Sequence, residues 1–278
     1  MTADAPDPAV LAAYRAYGAA VLRNVLSPHW IQRLRVMIDR VLARPTANGL
    51  EFAAGGPGRF YGDYFLWLTD PDMRALVFDS PLADLAQALM GSAKVDFFYD
   101  QLLVKEPGTD KRTPWHHDLP YWPIRGEQVV SLWVPFDRAT SANGVVAYVK
   151  GSHRWGQWYR PPTFTGKTRF DDLYAEGGLP PVPDIDAEAE RHTLLSWDVE
   201  PGDVIAHHPL VLHGAPGNAT TGERRRAIAL RFTGDDVVYD PRPGTFLETP
   251  GLRERLPPVG LAPGDALSGP LFPRLRPR

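Results

Sequence analysis

The first ninety residues place apolar side chains at the three- and four-residue spacings of amphipathic helices. Asp7 and Pro8 begin the first helix and Gly18 ends it, because a capping side chain, an early proline and a terminal glycine mark helix boundaries. Ser27 and Pro28 begin the second helix in the same way. The predicted elements are a helix over 8–16, a strand over 18–26, a helix over 28–43, a loop over 44–60 and a helix over 71–90.

From Lys94 onward the pattern changes to short runs of β-branched and aromatic residues bounded by proline, glycine and aspartate. The predicted strands cover 95–107, 128–136, 144–149, 203–214 and 225–233. No helical segment separates them at the spacing that parallel βαβ units require. Helices followed by antiparallel strands predict a mainly β fold with flanking helices, built on a β-sandwich or jelly-roll core.

Proline and glycine punctuate the chain heavily, with 29 and 25 of the 278 residues. Without a repeat period, this content favours many turns and short strands over a helical bundle. We expect a single domain over 1–278 with a core of about 10–235. Residues 156–192 form a long insertion that is predicted to act as a lid or covering, and 236–278 form a proline-rich extension that is predicted to wrap the surface.

The composition narrows the possible chemistry. The chain has no cysteine, so disulfides, thiolate metal sites and cysteine nucleophiles are excluded, and a metal would need His, Asp or Glu ligands. A formal charge of −3 gives no basic footprint for nucleic acid or a membrane surface. Neither a long apolar run nor a signal-peptide pattern occurs, so we expect a cytoplasmic protein without nucleic-acid or membrane partners. A monomer and a homodimer both fit.

The segment TPWHHDLPYWP contains a His-x-Asp pair, His116 and Asp118. On an extended segment these two side chains project from the same face with Cα atoms about 7 Å apart, so both can meet one ion. His213 lies on a later strand that a sandwich can bring alongside. Two imidazoles and one carboxylate with open positions are the ligands of non-haem Fe(II) oxygenases. An ordinary hydrogen-bonded His and Asp at the surface is the alternative interpretation.

Three arginines, Arg224 to Arg226, begin the last predicted strand. A buried arginine needs a partner, and a carboxylate held by two parallel N–H groups suits a guanidinium. Alternation along the strand places Arg225, Ala227 and Ala229 on one face and Arg226, Ile228 and Leu230 on the other. A basic turn at the surface is the alternative and fits two of the three arginines, so we expect one of them to be buried.

The segments WHHDLPYWP, SLWVPFD, NGVVAYVKGSH, PGDVIAHHPLVLHGAPGN and RRAIALRF, in this order, resemble the phytanoyl-CoA dioxygenase family of Fe(II)/2-oxoglutarate-dependent oxygenases. The N-terminal GAAVLRNVLSPHWIQRL resembles that family's opening strand and helix, so the resemblance covers about 10–235. It implies a double-stranded β-helix, also called a jelly roll, with N-terminal helices packed outside one sheet. It also implies Fe(II), 2-oxoglutarate as co-substrate, and O₂.

The resemblance assigns residues as well. It implies His116, Asp118 and His213 as metal ligands, with His117 in a variable position between the first two. Strand alignment implies Arg225 as the 2-oxoglutarate arginine, whereas spacing from the distal histidine would select Arg224; we favour Arg225, because strand register decides which face a side chain occupies. The further co-substrate contacts are Trp133, Ser131, Gln101 and Tyr64, and the histidines with a structural role are His207, His208 and His153.

Two departures from the family pattern bear on the reaction. Ala215 stands where a hydroxyl residue is common, so one co-substrate hydrogen bond is lost or comes from elsewhere. Asp118 is a carboxylate where halogenating relatives have a small residue, which favours hydroxylation with release of succinate and CO₂. The expected substrate is a small molecule, with a natural-product intermediate as one candidate. An aromatic mouth is predicted from Phe60, Tyr61, Tyr121, Trp122, Trp155, Trp158 and Tyr159, and an alternative anion site from Arg125, Lys150 and Arg154.

Two rival functions use the same residues. A cupin-like isomerase or hydrolase would use the metal ligands without 2-oxoglutarate, and Arg225 would then be dispensable. A non-catalytic binding module would keep the fold and its ligand affinity without the metal.

Overall fold

A computed structural model describes residues 6–162, 178–248 and 251–277. Within them the α-helices are α1 (Pro8–Tyr17), α2 (Pro28–Ala43), α3 (Pro71–Asp79) and α4 (Leu82–Met90). The strands are β1 (Ala19–Leu22), β2 (Leu50–Glu51), β3 (Phe60–Tyr64), β4 (Val95–Lys105), β5 (Thr113–His116), β6 (Ile124–Arg125), β7 (Val129–Pro135), β8 (Ala147–Val149), β9 (Leu194–Leu195), β10 (Val204–His207), β11 (His213–Ala215), β12 (Arg225–Thr233), β13 (Val238–Tyr239) and β14 (Arg274–Arg276).

The larger sheet is antiparallel and has β12 near its middle. Its order is β1-β10-β7-β12-β4-β3-β2, and β14 also pairs with β4. On β12, Ala229 lies opposite Trp133 of β7 on one side and Gln101 of β4 on the other. This register aligns one face of β7, β12 and β4, so that chosen side chains from three strands meet in one row.

Alternation along each strand gives the large sheet two different faces. Ile228 and Leu230 of β12 join the main hydrophobic core, which also contains Leu34 and Met37 of α2 and residues of the other helices. Ala227 and Ala229, which alternate with them in sequence, belong to a second cluster that faces away from the helices. The predicted packing of the helices against one sheet is confirmed, and the opposite face is available to a second layer.

That second layer is a smaller sheet of order β5-β11-β8-β9. His213 of β11 lies opposite His116 of β5 and also opposite Tyr148 of β8. Tyr148 packs with Trp133 and Ile205 of the large sheet, so the two sheets face each other. The mainly β, jelly-roll prediction is therefore confirmed.

Several predicted boundaries were wrong. The single helix over 71–90 is two helices, because Pro81 has no backbone N–H and disfavours helical backbone at Ser80. The strand over 203–214 is two strands in different sheets, β10 and β11, with Pro209 between them. The loop over 44–60 contains β2, and the strand that follows, β3, was missed. The strands predicted over 18–26 and 144–149 are shorter, as β1 and β8.

The C-terminal extension does more than wrap the surface. Its strand β14 pairs with β4, and the backbone N–H of Phe97 donates to Pro273 at 2.9 Å. Phe272 is fully buried with its ring centroid 5.5 Å from that of Phe98. The extension thus completes the main core, because Leu and Phe side chains between its prolines fill space that the strands leave open.

Part of the predicted lid lies outside the described residues, namely 163–177. Its flanks are held close together, since the N–H of Arg160 donates to the carbonyl of Pro180 at 2.7 Å. Among the residues that the structure describes, no helix is long and apolar enough to cross a membrane.

We expect Phe272→Ala to lower the free energy of unfolding by about 3–5 kcal/mol, because it removes a fully buried ring and leaves a cavity. Leu194→Ala, at a side chain that is 43% exposed, is the control and should change it by less than about 0.5 kcal/mol. Urea denaturation of both variants measures the difference. Equal effects would show that the extension does not contribute to the core.

Candidate active site

Three buried side chains converge between the sheets. His116, Asp118 and His213 each place one ligand atom so that these atoms lie within 4.8 Å of one another. Oδ1 of Asp118 is 3.6 Å from Nε2 of His116 and 3.8 Å from Nε2 of His213. The donor set is therefore two ring nitrogens and one carboxylate oxygen around a common centre, as Fe(II) requires.

The two imidazoles are oriented by the backbone. Nδ1 of His116 lies 2.8 Å from the carbonyl of Pro114, and Nδ1 of His213 lies 3.0 Å from the carbonyl of Val211. Since a carbonyl only accepts, each Nδ1 carries the proton and donates it, which leaves the Nε2 lone pair for a metal. Burial lowers the pKa of His213 well below its ordinary value, so the ring is neutral at pH 7. The residues present fit an iron ion.

Asp118 reaches the site by a route that the sequence argument missed. Strand β5 ends at His116, and Asp118 has helical backbone angles at the start of a short 3₁₀ turn over Leu119–Tyr121. The N–H of Asp118 donates to the carbonyl of Pro209 at 2.8 Å. The pair therefore meets through a turn at the strand end and not through two-residue alternation, because Pro120 favours the turn over a continued strand.

The second oxygen of Asp118 faces a row of side chains on the large sheet. His207 of β10, Ser131 of β7 and Arg231 of β12 occupy matching register positions on adjacent strands. Oδ2 of Asp118 accepts from the Ser131 hydroxyl at 3.3 Å and lies 3.5 Å from Nε2 of His207 and 3.9 Å from Nη2 of Arg231. The two carboxylate oxygens thus have separate surroundings, one facing the ligand nitrogens and one facing this cross-strand row.

These neighbours fix the charge of the carboxylate. Burial alone would raise the pKa of Asp118, but the close imidazoles of His116 and His207 and the positive charge of Arg231 hold it well below its usual value. Asp118 is therefore an anion at pH 7 and can bind a cation.

Arg225 is a buried cation at the same cavity. Its side chain is 2% exposed, Nη1 donates to the carbonyl of Leu103 at 3.1 Å, and the guanidinium lies 5.6 Å from the Trp133 ring centroid. Its Nε has no hydrogen-bond partner, and no carboxylate among the described residues forms an ion pair with it. Burial lowers the pKa of Arg225 to about 10, which leaves it positive at pH 7.

The two neighbouring arginines face the surface. Arg224 pairs with Glu106 and Asp39, at 2.9 Å and 3.1 Å. Arg226 pairs with Asp137 and with the same Asp39. The alternation predicted for this strand is thus the one observed, and Arg225 is the arginine of the three that faces the cavity.

The other predicted co-substrate contacts lie around the same space. Trp133, Gln101 and Tyr64 line the cavity. Gln101 donates from Nε2 to the Tyr64 hydroxyl at 3.0 Å and accepts at Oε1 from Arg231 at 2.9 Å, which supplies the partners that an inward amide needs. Ser131 is fully buried and contacts Asp118, so it reaches the carboxylate instead of lining the cavity.

The cavity has a volume of about 420 Å³ and a largely apolar, aromatic lining. Of the aromatics predicted at its mouth, Phe60, Tyr121 and Trp122 line it, whereas Tyr61, Trp155, Trp158 and Tyr159 do not. None of the residues predicted as an alternative anion site lines the cavity, namely Arg125, Lys150 and Arg154. The mouth also contains side chains that the sequence argument missed, Phe52, Phe246, Leu252 and Arg255, three of which belong to the C-terminal extension.

Arg231 and Tyr148 are the site residues that sequence reasoning missed. Arg231 follows Arg225 on the same alternating face of the strand, so the period of two was a signal for it. The ring of Tyr148 stacks on that of His213 with centroids 5.8 Å apart. Tyr148 lies near His213 because β8 pairs with β11, and the sequence does not predict that pairing.

The remaining histidines have different roles. The purely structural role predicted for His207 was incomplete, because its Nε2 reaches Asp118. His208 and His153 pack together with ring centroids 5.2 Å apart, and Nδ1 of His208 accepts from the N–H of Leu210, as expected of structural residues. Nε2 of His117 accepts from the N–H of Tyr159 at 2.8 Å and so holds the flank of the insertion.

The sequence is similar to that of several known proteins. The sequence matches the phytanoyl-CoA dioxygenase (PhyH) family over residues 14–227. It is 28% identical over 242 residues to ectoine dioxygenase of Sphingopyxis alaskensis, covering 82% of this chain and 77% of that protein. It is 29% identical over 156 residues to the human peroxisomal phytanoyl-CoA dioxygenase, covering 54% of this chain and 43% of that protein. The chain spans about half the length of the animal phytanoyl-CoA dioxygenases that it matches.

The fold is also found among solved structures. The epimerase SnoN, crystallised with Fe³⁺, α-ketoglutarate and nogalamycin RO, superposes with a TM-score of 0.74. The sequences are 24% identical, and the match covers 97% of this chain and all of that one. The similarity extends through the C-terminal extension, which lies beyond the family match.

We expect His213→Ala to weaken Fe(II) binding by more than about 100-fold, since it removes a ligand and not merely a group that orients one. Anaerobic calorimetry with Fe(II) measures the affinity. His29→Ala, at an exposed histidine, is the control. Unchanged affinity in His213→Ala would place the metal elsewhere.

The metal-free protein should lose stability as the pH falls below about 6.5. Burial lowers the pKa of His208 to about 3, so between these values the unfolded chain binds a proton that the folded chain does not. His208→Gln should remove up to about 1.4 kcal/mol per pH unit of that slope between pH 6 and 4. Chemical denaturation at a series of pH values, with His29→Gln as the exposed control, measures it. A slope equal to that of the wild type would contradict the burial argument.

Proposed function

Because the chain belongs to the phytanoyl-CoA dioxygenase family, we propose that it is an Fe(II)- and 2-oxoglutarate-dependent oxygenase that oxidises a C–H bond of a small molecule. The observation that carries the proposal is the pairing of two features at one cavity: a facial set of His116, Asp118 and His213, and the buried, unpaired guanidinium of Arg225. Neither feature is needed for the stability of a β-sandwich.

The ligand roles follow from the contacts. His116, Asp118 and His213 would hold Fe(II) through two Nε2 atoms and Oδ1. Arg225 would bind the distal carboxylate of 2-oxoglutarate, because a carboxylate matches its planar N–H groups and offsets its buried charge. Trp133 beneath the guanidinium keeps that charge in place. Gln101 and Tyr64 offer polar contacts to the same ligand.

Fe(II) and 2-oxoglutarate, when bound, supply the activation of O₂ and the coupled oxidative decarboxylation to succinate and CO₂. The protein's own side chains orient the Asp118 carboxylate and shield the reacting centre from water. Ser131 and His207 hold Oδ2 of Asp118, so that Oδ1 is the oxygen directed at the metal. The apolar walls exclude water from the reacting centre.

The reaction outcome is a finer part of the proposal. Asp118 would supply a carboxylate ligand where halogenating relatives have a small residue, which favours hydroxylation. A related oxidation remains within the same chemistry, since a structural neighbour is an epimerase that binds α-ketoglutarate. A natural-product intermediate suits the aromatic cavity. We place the activity in the cytoplasm, where 2-oxoglutarate is available.

The test is anaerobic titration of the Fe(II)-loaded protein with 2-oxoglutarate, followed by its visible metal-to-ligand charge-transfer band. Arg225→Gln should raise the Kd for 2-oxoglutarate by about 10- to 100-fold, because one charge-assisted interaction is lost. The adjacent Arg224→Gln, at a surface ion pair, should change the Kd by less than about twofold.

Failure to form the band while iron is bound would refute the proposal. It would favour the cupin-like isomerase or hydrolase, in which the metal acts without 2-oxoglutarate. A normal band with equal affinities in both variants would leave 2-oxoglutarate in the mechanism but remove Arg225 from its binding.

A further inference from the structure

A second buried arginine lies at the cavity, and the proposed function does not use its charge. Arg231 is 4% exposed and lines the cavity on the same face of β12 as Arg225. The two are six positions apart, which is about 20 Å along a strand, so they do not hold the same carboxylate. Arg231 lies beside Asp118, and the backbone of Arg225 lies at the other end of the cavity.

The guanidinium of Arg231 is fixed but incompletely bonded. It lies 4.5 Å from the Tyr99 ring centroid and 5.8 Å from that of Trp122, so aromatic rings set its position. Its Nη groups donate to the carbonyl of Ala229 at 3.2 Å and to Gln101 at 2.9 Å. Its Nε has no partner. A guanidinium has five N–H donors, so this one keeps unused capacity for an acceptor.

Arg231 forms an ion pair with Asp118 at 3.9 Å, but the charge of that carboxylate is shared with the proposed metal. Among the described residues that line it, Asp118 is the one carboxylate, whereas Arg225, Arg231 and Arg255 are positive. A divalent metal, the Asp118 carboxylate, the 2-oxoglutarate dianion and Arg225 together carry no net charge. The positive charge of Arg231 is then left over in a site shielded from water, where an unmatched charge is costly.

Two other buried carboxylates lie in the same sheet as Arg231, on β3 and β4, but do not serve as its partners. Asp63 accepts from the hydroxyls of Tyr61 and Thr46. Asp100 accepts from the N–H groups of Leu66 and Trp67, and neither aspartate lines the cavity. An anion for Arg231 in addition to Asp118 must therefore come from a ligand.

From this we propose that Arg231 binds a carboxylate of the substrate, and that the substrate is a monoanionic acid with an apolar or aromatic body. The inference rests on the proposed function, because the charge count includes the metal and 2-oxoglutarate. A single negative charge matches Arg231, the one buried positive charge left over, since Arg255 is exposed to solvent. The body would pack against Phe52, Phe246 and Leu252 at the mouth, which offer apolar contact. Arg231 is then a specificity-determining residue, selecting acids over neutral analogues of the same shape.

The experiment uses a matched pair of probes, 1-naphthoate and 1-naphthamide, which share a ring system and differ in charge. Each is titrated by anaerobic calorimetry into Fe(II)-loaded protein with saturating 2-oxoglutarate, and the charge-transfer band is recorded in the same samples. The wild type should bind 1-naphthoate at least about tenfold more tightly than 1-naphthamide. Arg231→Gln should abolish this preference by weakening 1-naphthoate alone, and Arg231→Lys should restore part of it by returning the charge.

Arg255→Gln is the control for the second positive group, which is exposed at the mouth and donates to Asn48. It should keep the preference for the acid. Loss of the preference in Arg255→Gln with retention in Arg231→Gln would overturn the assignment, as would equal binding of both probes by the wild type. Absence of the band in the wild type would instead refute the proposed function, so the two failures are distinguishable.

Discussion

The register of β12 between β7 and β4 is the constraint on which the rest of this protein depends. Because side chains alternate along a strand, that register sends Ile228 and Leu230 into the helix-covered core and Arg225 and Arg231 into the cavity. A slip of one residue would turn Arg225 and Arg231 toward the helices and the core side chains Ile228 and Leu230 toward the cavity. The burial of the apolar face therefore fixes the position of the functional face, and stability and chemistry share one determinant.

The same register builds the surroundings of the metal centre. The residues that contact Oδ2 of Asp118 come from three adjacent strands, β10, β7 and β12, and meet because those strands pair side by side. The smaller sheet contributes His116 and His213, which lie opposite each other across β5 and β11. The site is thus a junction between two sheets. Each layer holds a different part of it: the ligand nitrogens on one side and the groups that orient the carboxylate on the other.

The cavity joins this rigid centre to a mouth of different origin. Phe246, Leu252 and Arg255 belong to the C-terminal extension, beyond residues 14–227 that match the family. The family match therefore includes His116, Asp118, His213 and Arg225 but not these three side chains of the cavity. Phe272, in the same extension, packs into the main core and anchors the segment that forms the mouth.

The sequence by itself determined the mainly β fold, the grouping of His116, Asp118 and His213, and the inward face of Arg225, because these depend on local period and on motifs. It did not determine the break at Pro81, the division of 203–214 between two sheets, or the core role of the tail, since these depend on which distant segments compete for the same space. Arg231 illustrates most clearly the difference between what the sequence determines and what the tertiary structure determines. Its face was readable from the period of two, but only the tertiary structure decided that Asp118, Gln101 and Tyr99 would surround it. Contacts between residues far apart in sequence are set by strand pairing, and strand pairing is a property of the folded chain as a whole.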